Sequence, residues 1–278
     1  MSVESYGKPG STVEEAIILA VETSSRIGSA ALARGPTLLE EMRFSAPMQH
    51  SGELFPVLND LLQGHGYVPA NVDQIHLATG PGSFTGLRIA VTMAKAMHLA
   101  KAVRIVTVDS LDVVAANLSD TPAEPIEANG EEATIPDRIA SLFDAKRGQF
   151  YAGLYQHVTT RPDEPQGDDR EGPGYRIPAP NNGLWQKIAR DSLMTAQEIV
   201  ASFAPSDRIG LLGDGLLFHR DKFDADRTVI LPERYWSPHA ANVHRLGWQK
   251  ALTGRFADPL ALTPFYLRGP EVTLRKNP

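Results

Sequence analysis

Two acidic residues of the sequence are placed where a carboxylate could do chemistry. Glu22 ends the apolar run 16–21 and precedes a polar turn at 23–28, and Asp144 ends a second apolar run before the turn at 145–148. Two carboxylates that face each other across a cleft suit general acid–base catalysis, because their pKa values can be driven apart. The alternative is that each carboxylate caps its own turn by accepting backbone N–H bonds, and we favour this second interpretation.

A glycine-rich stretch at 80–88, with the sequence GPGSFTGLR, predicts a tight turn that opens into a helix. Glycine permits backbone angles and close approaches that a Cβ would block, and Ser83 or Thr85 can cap the helix. Uncapped amides of the first helical turn, together with an arginine, can bind an anion. The candidate anion-binding residues are Gly80, Pro81, Gly82, Ser83, Phe84, Thr85, Gly86 and Arg88. Ser83 lacks the Gly-x-Ser-x-Gly spacing of a nucleophile elbow, so we expect no catalytic residue here.

The histidines and cysteines of the chain do not predict a metal site. Two histidines at i and i+4 would lie on one face of a helix and could share a metal ion. The nearest pair, His239 and His244, is five residues apart, and the chain has no cysteine. We therefore expect no bound metal and no thiolate chemistry.

The elements that must position these residues follow from hydrophobic periodicity. The first half reads as strands and helices in the order β-β-β-α-β-α-β-α: strands at 16–22, 29–34, 37–45, 73–79 and 103–108, and helices at 50–63, 84–100 and 110–118. The second half predicts strands at 139–144, 149–155, 209–213 and 262–268, and helices at 195–203 and 239–252. We predict a flexible tail at residues 1–15 and a linker at 119–136. We predict a mobile insertion in the proline-rich stretch 161–180.

Both halves begin with an apolar strand, an acidic residue, a polar turn and a returning strand, which indicates a duplicated α/β unit with lobes at 16–118 and 137–270. This pattern is similar to the two-lobed actin-like and Hsp70-like ATPase fold (ASKHA, ribonuclease H-like), in which mixed sheets are flanked by helices and two hairpin turns face a nucleotide. The residues that this likeness would place near a nucleotide are Glu22, Thr23, Ser24, Asp144, Lys146, Arg147, Gly213 and Asp214.

The helices at 51–63 and 84–99 are apolar over more of their surface than one sheet would cover. A large exposed apolar surface usually marks an interface. The sequence therefore predicts a subunit contact on the first lobe. Its candidate residues are Leu54, Leu58, Leu61, Leu62, Leu87, Val91, Ala94, Lys95 and His98.

The composition sets limits on the function. The chain has 278 residues, of which 42% are hydrophobic and 22% are charged, as in ordinary globular proteins. Its net charge is −6 and no basic stripe is visible, so we expect no direct binding to nucleic acid. Its apolar runs are too short for a membrane span, and no secretory signal is apparent, so the sequence suggests a cytoplasmic protein without membrane contact.

Four segments resemble the TsaB (YeaZ) family: ILAVETSS at 18–25, GPGSFTGLR at 80–88, FDAKRG at 143–148 with Tyr151, and PFYLR at 264–268. The resemblance covers most of residues 16–270. The family's first hairpin usually has Asp where this chain has Glu22.

The resemblance implies a glycoprotease-like, non-catalytic subunit that is required for threonylcarbamoyl-adenosine modification of tRNA. Such a protein pairs through its first-lobe helices with a catalytic TsaD-type subunit, and a small TsaE-type ATPase joins the assembly. The same helices would form a homodimer when the protein is alone, tRNA would be contacted only indirectly, and no cofactor would be required beyond weak ATP or ADP binding. The alternative is an enzyme that works in its own cleft, either a nucleotide-dependent transferase or a glycoprotease-like peptidase.

Overall fold

The first lobe is built on a five-stranded mixed sheet. The computed structural model describes residues 13–47, 49–119, 126–128, 131–159 and 175–268. Its first sheet has the strand order β3-β2-β1-β4-β5. Strands β1, β4 and β5 run parallel to one another, and β2 is antiparallel to both of its neighbours, β1 and β3. The elements are β1 (Ile17–Glu22), β2 (Ser29–Arg34), β3 (Thr37–Arg43), α1 (His50–Gly64), β4 (Gln74–Ala78), α2 (Phe84–Lys101), β5 (Arg104–Val108) and α3 (Ser110–Ala115).

The second lobe is built on a larger sheet with the order β10-β11-β9-β8-β13-β14, in which β12 pairs with β9. Its elements are β8 (Arg138–Asp144), β9 (Gln149–Thr159), β10 (Ile177–Pro178), β11 (Gly183–Lys187), β12 (Ser192–Thr195), α4 (Ala196–Ala201), β13 (Ile209–Leu212), β14 (Thr228–Ile230) and α5 (Ala240–Leu252). Between the lobes, β6 (Ile126–Ala128) and β7 (Glu131–Ala133) form a small antiparallel pair.

All six residues of β1 are buried, because helices cover both faces of the first sheet. Ile17, Leu19 and Val21 pack in the core formed with α1 and α2. Ile18 faces the opposite side, where it contacts the cluster that contains Trp248 of α5. This alternation follows from the two-residue period of a strand.

Helix α5 lies late in the chain but packs on the first sheet, against β1, β2, β4 and β5. Side chains of the first lobe hold its N-terminus. Ala240 donates its amide to Ser29 Oγ at 2.8 Å, and Ala241 donates to Glu41 Oε1 at 3.3 Å. The predicted division of the chain, with 137–270 in the second lobe, therefore differs from the structure at this helix.

The structure confirms the two-lobed α/β fold and most of the predicted elements, including the glycine-rich turn before α2. The predicted closing strand at 262–268 is wrong. That segment pairs with the sheet only through the Phe265 amide and the Thr79 carbonyl, at 2.7 Å. The sequence analysis missed the short strands β10, β11, β12 and β14, and the predicted linker contains the β6–β7 pair. Residues 1–12 of the predicted tail, 120–125 and 129–130 of the predicted linker, and 161–174 of the predicted insertion lie outside the described residues.

Within the described ranges, no helix has both the length and the apolar character that a membrane span requires.

Candidate functional site

A cavity of about 560 Å³ lies where the two lobes meet. The turn after β1, the N-terminus of α2, the turn after β8 and the segment after β13 surround it. Its lining includes most of the predicted cleft residues. It also includes seven residues that the predicted site residues did not include: Ser25, Arg26, Phe143, Ala145, Tyr151, Phe218 and Arg268. Tyr151 and Arg268 had a sequence signal, because each belongs to a segment that carries the family resemblance.

The three glycines of the GPGSFTG turn each lie against a main-chain carbonyl. A Cβ on Gly80 would lie 2.3 Å from the Phe265 carbonyl oxygen. A Cβ on Gly82 would lie 2.3 Å from the Ser24 oxygen, and one on Gly86 would lie 2.0 Å from the Thr23 oxygen. These separations are far below van der Waals contact, so each position excludes a side chain. The motif therefore holds the first hairpin turn and the C-terminal segment against α2.

Several amides of this turn are already used inside the protein. Ser83 donates to the Ser24 carbonyl at 2.6 Å, Gly86 donates to Ser83 Oγ at 3.3 Å, and Leu87 donates to the Ser83 carbonyl at 3.0 Å. Ser83 is thus the helix cap, as predicted, but these amides are not available to an anion. Anion binding stays a prediction for the exposed residues Phe84, Thr85 and Arg88.

Glu22 lies fully buried beneath the cleft and caps its own turn. Its Oε1 atom accepts the Ser24 amide at 2.7 Å and also accepts the Ser24 hydroxyl. Oε2 has no hydrogen-bond partner within the described part of the chain. Burial raises the pKa of Glu22 to about 7, against the opposing effect of the bonds from Ser24. The side chain therefore keeps its proton to a higher pH than an exposed glutamate does.

Asp144 caps the second hairpin turn in the same way. It accepts the Lys146 amide at 2.8 Å and pairs with Lys146 Nζ at 2.7 Å. Burial would raise the pKa of Asp144, but the bonds from Lys146 and its charge lower it overall. The geometry of both turns agrees with the capping interpretation, because both carboxylates are engaged by their own turns.

Asp214 adds a third carboxylate to the cleft. It lies on the turn after β13, where Gly213 has a φ of +117°. Its Oδ2 accepts the Arg26 amide at 3.2 Å, which links the second lobe to the first hairpin turn. Burial raises the pKa of Asp214 to about 6. No group of three histidines or carboxylates in the described ranges has the geometry to hold a metal ion.

The predicted partner surface needs correction. Seven of its nine residues are core residues of the first lobe, each at most 5% exposed: Leu54, Leu58, Leu61, Leu62, Leu87, Val91 and Ala94. The periodicity correctly identified one face of each helix, but that face packs on the chain's own sheet. Lys95 and His98 are half-buried. Lys95 donates a hydrogen bond to the Leu260 carbonyl, and His98 Nδ1 forms one with the Val103 carbonyl.

The outward surface of the two helices carries other apolar side chains. Phe55 on α1 is 57% exposed, and Leu99 on α2 is 78% exposed. Ala96 is exposed one helical turn before Leu99, and Met97 is half-buried beside it. These residues, rather than the predicted leucines, are available to a partner.

A buried charge cluster lies outside the cleft. Lys187 Nζ lies 2.7 Å from Asp112, 2.9 Å from Asp191 and 3.4 Å from Asp109. Tyr155 and Tyr175 each donate a hydroxyl to Asp112 at 2.7 Å. The cluster ties α3 of the first lobe to β9, β11 and the segment before β10, so it has an architectural role in joining the two lobes.

Comparison with known proteins places the chain in a family. A family model described as "TsaD: tRNA N6-adenosine threonylcarbamoyltransferase" matches residues 45–206, more than half of the chain. The chain belongs to this family. Within it, the similarity to curated TsaB proteins assigns the chain to the TsaB (YeaZ) type.

Three relatives support that assignment, and each is named tRNA threonylcarbamoyladenosine biosynthesis protein TsaB. The Bacillus subtilis protein is 28% identical over 255 residues, which are 90% of this chain and 93% of the relative. The Haemophilus influenzae protein is 28% identical over 266 residues, covering 94% of this chain and 97% of the relative. The Escherichia coli protein is 28% identical over 139 residues, covering 50% of this chain and 54% of the relative.

Solved structures show the same fold. YeaZ from Pseudomonas aeruginosa superimposes with a TM-score of 0.66 at 22% identity, over 91% of this chain and all of that one. A second Pseudomonas aeruginosa structure, described as similar to peptidase YeaZ, gives a TM-score of 0.67 at 21% identity, with the same coverage.

Proposed function

We propose that this chain is a non-catalytic partner subunit in tRNA threonylcarbamoyladenosine biosynthesis, which binds a TsaD-type catalytic subunit and holds it in its active state. The likeness to TsaB proteins along nearly the whole chain is the observation that supports this role most directly. The engagement of Glu22 and Asp144 as turn caps also supports it, because these carboxylates serve the architecture of their hairpins.

The partner surface that we propose is the outward side of α1 and α2. Phe55 and Leu99 are large exposed apolar side chains there, and Ala96 leaves room for a second helix to approach. The buried leucines beneath them fix the two helices on the sheet. A subunit that binds one state of its partner more tightly shifts the partner toward that state, so no chemistry of its own is needed.

Charge substitutions at the exposed positions test this role. Leu99→Asp and Phe55→Asp should each place a carboxylate in the contact and abolish co-purification of the catalytic subunit with the full chain. Leu252→Asp is the matched control, because Leu252 is 58% exposed on α5, away from the two helices. Co-purification that survives both substitutions would contradict the scaffold role. Leu58→Asp is unsuitable, because Leu58 lies in the core and its replacement would unfold the lobe.

The same surface accounts for the proposed homodimer of the isolated chain. Sedimentation velocity should show a dimer for the unaltered chain and a monomer for Leu99→Asp. A TsaE-type ATPase is the further partner that we propose, and its recovery in the same co-purification tests that part of the assembly.

A nucleotide-dependent transferase is the second candidate, favoured by the size of the cleft and by the cations that line it. It requires ATP or ADP to bind between the two hairpin turns. Isothermal titration of the full chain with ATP tests this candidate. Absence of heat at millimolar ligand excludes it, and saturable binding that disappears in Asp144→Ala supports it.

A further inference from the structure

Two exposed phenylalanines stand on opposite sides of the cleft, and each has an arginine over its ring. Phe218 of the second lobe is 59% exposed, and the guanidinium of Arg26 from the first lobe lies 5.2 Å from its centroid. Phe84 at the start of α2 is 37% exposed, and the guanidinium of Arg88 lies 5.1 Å from its centroid. Both phenylalanines line the cavity.

This pairing distinguishes the cleft from other cation–ring contacts in the described structure. The rings of Tyr155, Tyr175, Tyr235 and Trp236 also have cations nearby, but they are buried in the core. The ring of Phe256, beside Arg104, is half-buried and does not line the cavity. A buried ring is covered by its own protein, whereas an exposed ring beside an arginine offers a stacking surface to a ligand. The pair of Phe218 and Arg26 is therefore the candidate for base stacking, because the ring of Phe84 already packs against that of Tyr266.

The cleft mouth is also locally cationic in a chain whose net charge is −6. Its lining carries the cations Arg26, Lys146, Arg147 and Arg268 but only the carboxylates Asp144 and Asp214. Asp144 is paired with Lys146. Even with both carboxylates ionised, the four cations of the lining exceed its two anions. Arg26, Arg88, Lys146 and Arg147 are all exposed. Positive charge is thus distributed over three chain segments around one opening.

We propose that this cleft mouth binds single-stranded RNA directly, with a base stacked on Phe218 and phosphates held by the surrounding cations. Exposed aromatic rings with interspersed arginines are the surface that single-stranded nucleic acid prefers, because every base has a face that can stack. Cations spread around the opening suit successive phosphates of a strand better than the clustered phosphates of one mononucleotide. The choice of RNA over other strands rests on the proposed role in tRNA modification. Direct contact replaces the expectation, drawn from net charge, that RNA is reached only through a partner.

Fluorescence anisotropy of the full chain with a labelled, unstructured RNA of about 15 nucleotides tests the proposal. Phe218→Ala and Arg26→Ala should each weaken binding by about tenfold, and Phe218→Tyr should restore it, because a ring is again present. Lys146→Ala combined with Arg147→Ala should flatten the dependence of log Kd on log salt by about 0.7 for each phosphate that the two side chains neutralise. All these side chains are exposed, so the variants should keep the melting temperature of the unaltered chain.

Arg234→Ala is the matched control. Arg234 is also exposed and lies 4.8 Å from the ring of Tyr235, but it does not line the cavity. The Arg234→Ala variant should bind RNA with the same Kd as the unaltered chain.

The proposal is overturned if the unaltered chain shows no saturable RNA binding at low salt, or if the cleft variants bind like Arg234→Ala. It is also overturned if ATP binds the cleft with a micromolar Kd and displaces the RNA completely, because the site then fits a mononucleotide. A chain that binds RNA but fails to co-purify with a catalytic subunit would contradict the proposed scaffold role and leave this site standing. A chain that co-purifies with a catalytic subunit but does not bind RNA would overturn the RNA site alone.

Discussion

The side-chain hydroxyl of Thr23 donates a hydrogen bond to the main-chain carbonyl of Gly86 at 2.9 Å. This bond joins the first hairpin turn, at the floor of the cleft, to the first turn of α2. His50 makes a second link of the same kind from the start of α1, because its Nε2 lies 3.0 Å from the Ser25 carbonyl. The cleft turn and the two helices of the proposed partner surface therefore form one connected unit.

Removal of the Thr23 hydroxyl should weaken this unit without changing its shape. Thr23→Val keeps the volume of the side chain but lacks the donor, so we expect a decrease of about 1 kcal/mol in the free energy of unfolding. Thr23→Ser keeps a hydroxyl and should be destabilised less. Urea denaturation followed by circular dichroism measures both. A Val variant as stable as the Ser variant would show that the bond adds nothing.

Side chains should not be tolerated at the glycines of the turn before α2. Gly86→Ala places a Cβ where the Thr23 carbonyl lies, so we expect the thermal midpoint to fall by about 5 °C or more. Gly64→Ala is the control, because Gly64 is also in a helix but has no atom within 4 Å of the added Cβ. That substitution should leave the midpoint unchanged or raise it by a few degrees. Equal midpoints for the two variants would contradict the crowding described for the motif.

Glu22 should make the protein less stable as the pH rises. Its folded pKa of about 7 exceeds its ordinary value of 4.5, so the folded state holds the proton more tightly than the unfolded state does. The contribution of Glu22 to the free energy of unfolding is fully present below about pH 4 and is lost as the pH rises through 7. Glu22→Gln keeps a neutral side chain of the same shape and cannot titrate.

The Gln variant should therefore gain stability relative to the unaltered chain between pH 4 and pH 8, by about 3 kcal/mol, because one pKa unit corresponds to about 1.4 kcal/mol. Unfolding free energies at the two pH values measure the gain. Asp214 interacts with Glu22 and also titrates in this range, so the same comparison in an Asp214→Asn background separates the two groups. A difference between variant and parent that does not change with pH would show that Glu22 ionises normally.

Arg268 should hold the C-terminal segment against the second lobe. It donates to the Ala145 carbonyl and to Gln149 Oε1. Two residues earlier, the ring of Tyr266 packs in a tilted arrangement against that of Phe84, with centroids 4.9 Å apart. Arg268→Ala removes the bond to the second hairpin turn, so amide hydrogen exchange at residues 145–149 should become at least about fivefold faster.

Lys95→Met provides the control for this prediction. Lys95 Nζ donates to the Leu260 carbonyl at 3.4 Å, which fixes the same segment to α2 but does not reach the second lobe. Exchange at 145–149 should be unaffected in that variant. Similar acceleration in both variants would mean that the segment loosens as a whole and that Arg268 makes no specific bridge.

Local patterns in the sequence predicted much of the first lobe. The apolar run before Glu22 and the helical spacing of Leu54, Leu58 and Leu61 identified β1 and α1, because each element is long and regularly patterned. β14 has only three residues, too few for a period to emerge, and β11 lacks the β-branched residues that identified the equally short β4 and β5. Periodicity also shows which residues share a face but not what covers that face, which is why the buried leucines were predicted as a partner surface.

Long-range contacts could not be predicted in the same way. Arg268 reaches Gln149 across 119 positions of the chain, and no local pattern encodes that distance. The pairing of Arg26 with Phe218 also depends on how the lobes meet. The capping of the two hairpin turns by Glu22 and Asp144 was predictable, because each bond joins residues two positions apart.

The position of α5 on the first sheet affects how the protein can be made. The face of that sheet that carries Ile18 and Ala33 is buried against the cluster containing Trp248. During synthesis the five strands leave the ribosome well before Trp248 does, so this apolar face stays uncovered while more than a hundred further residues are translated. The amino-terminal lobe thus completes its folding only after α5 has been translated, and until then it is a natural client for chaperones that shield nascent chains.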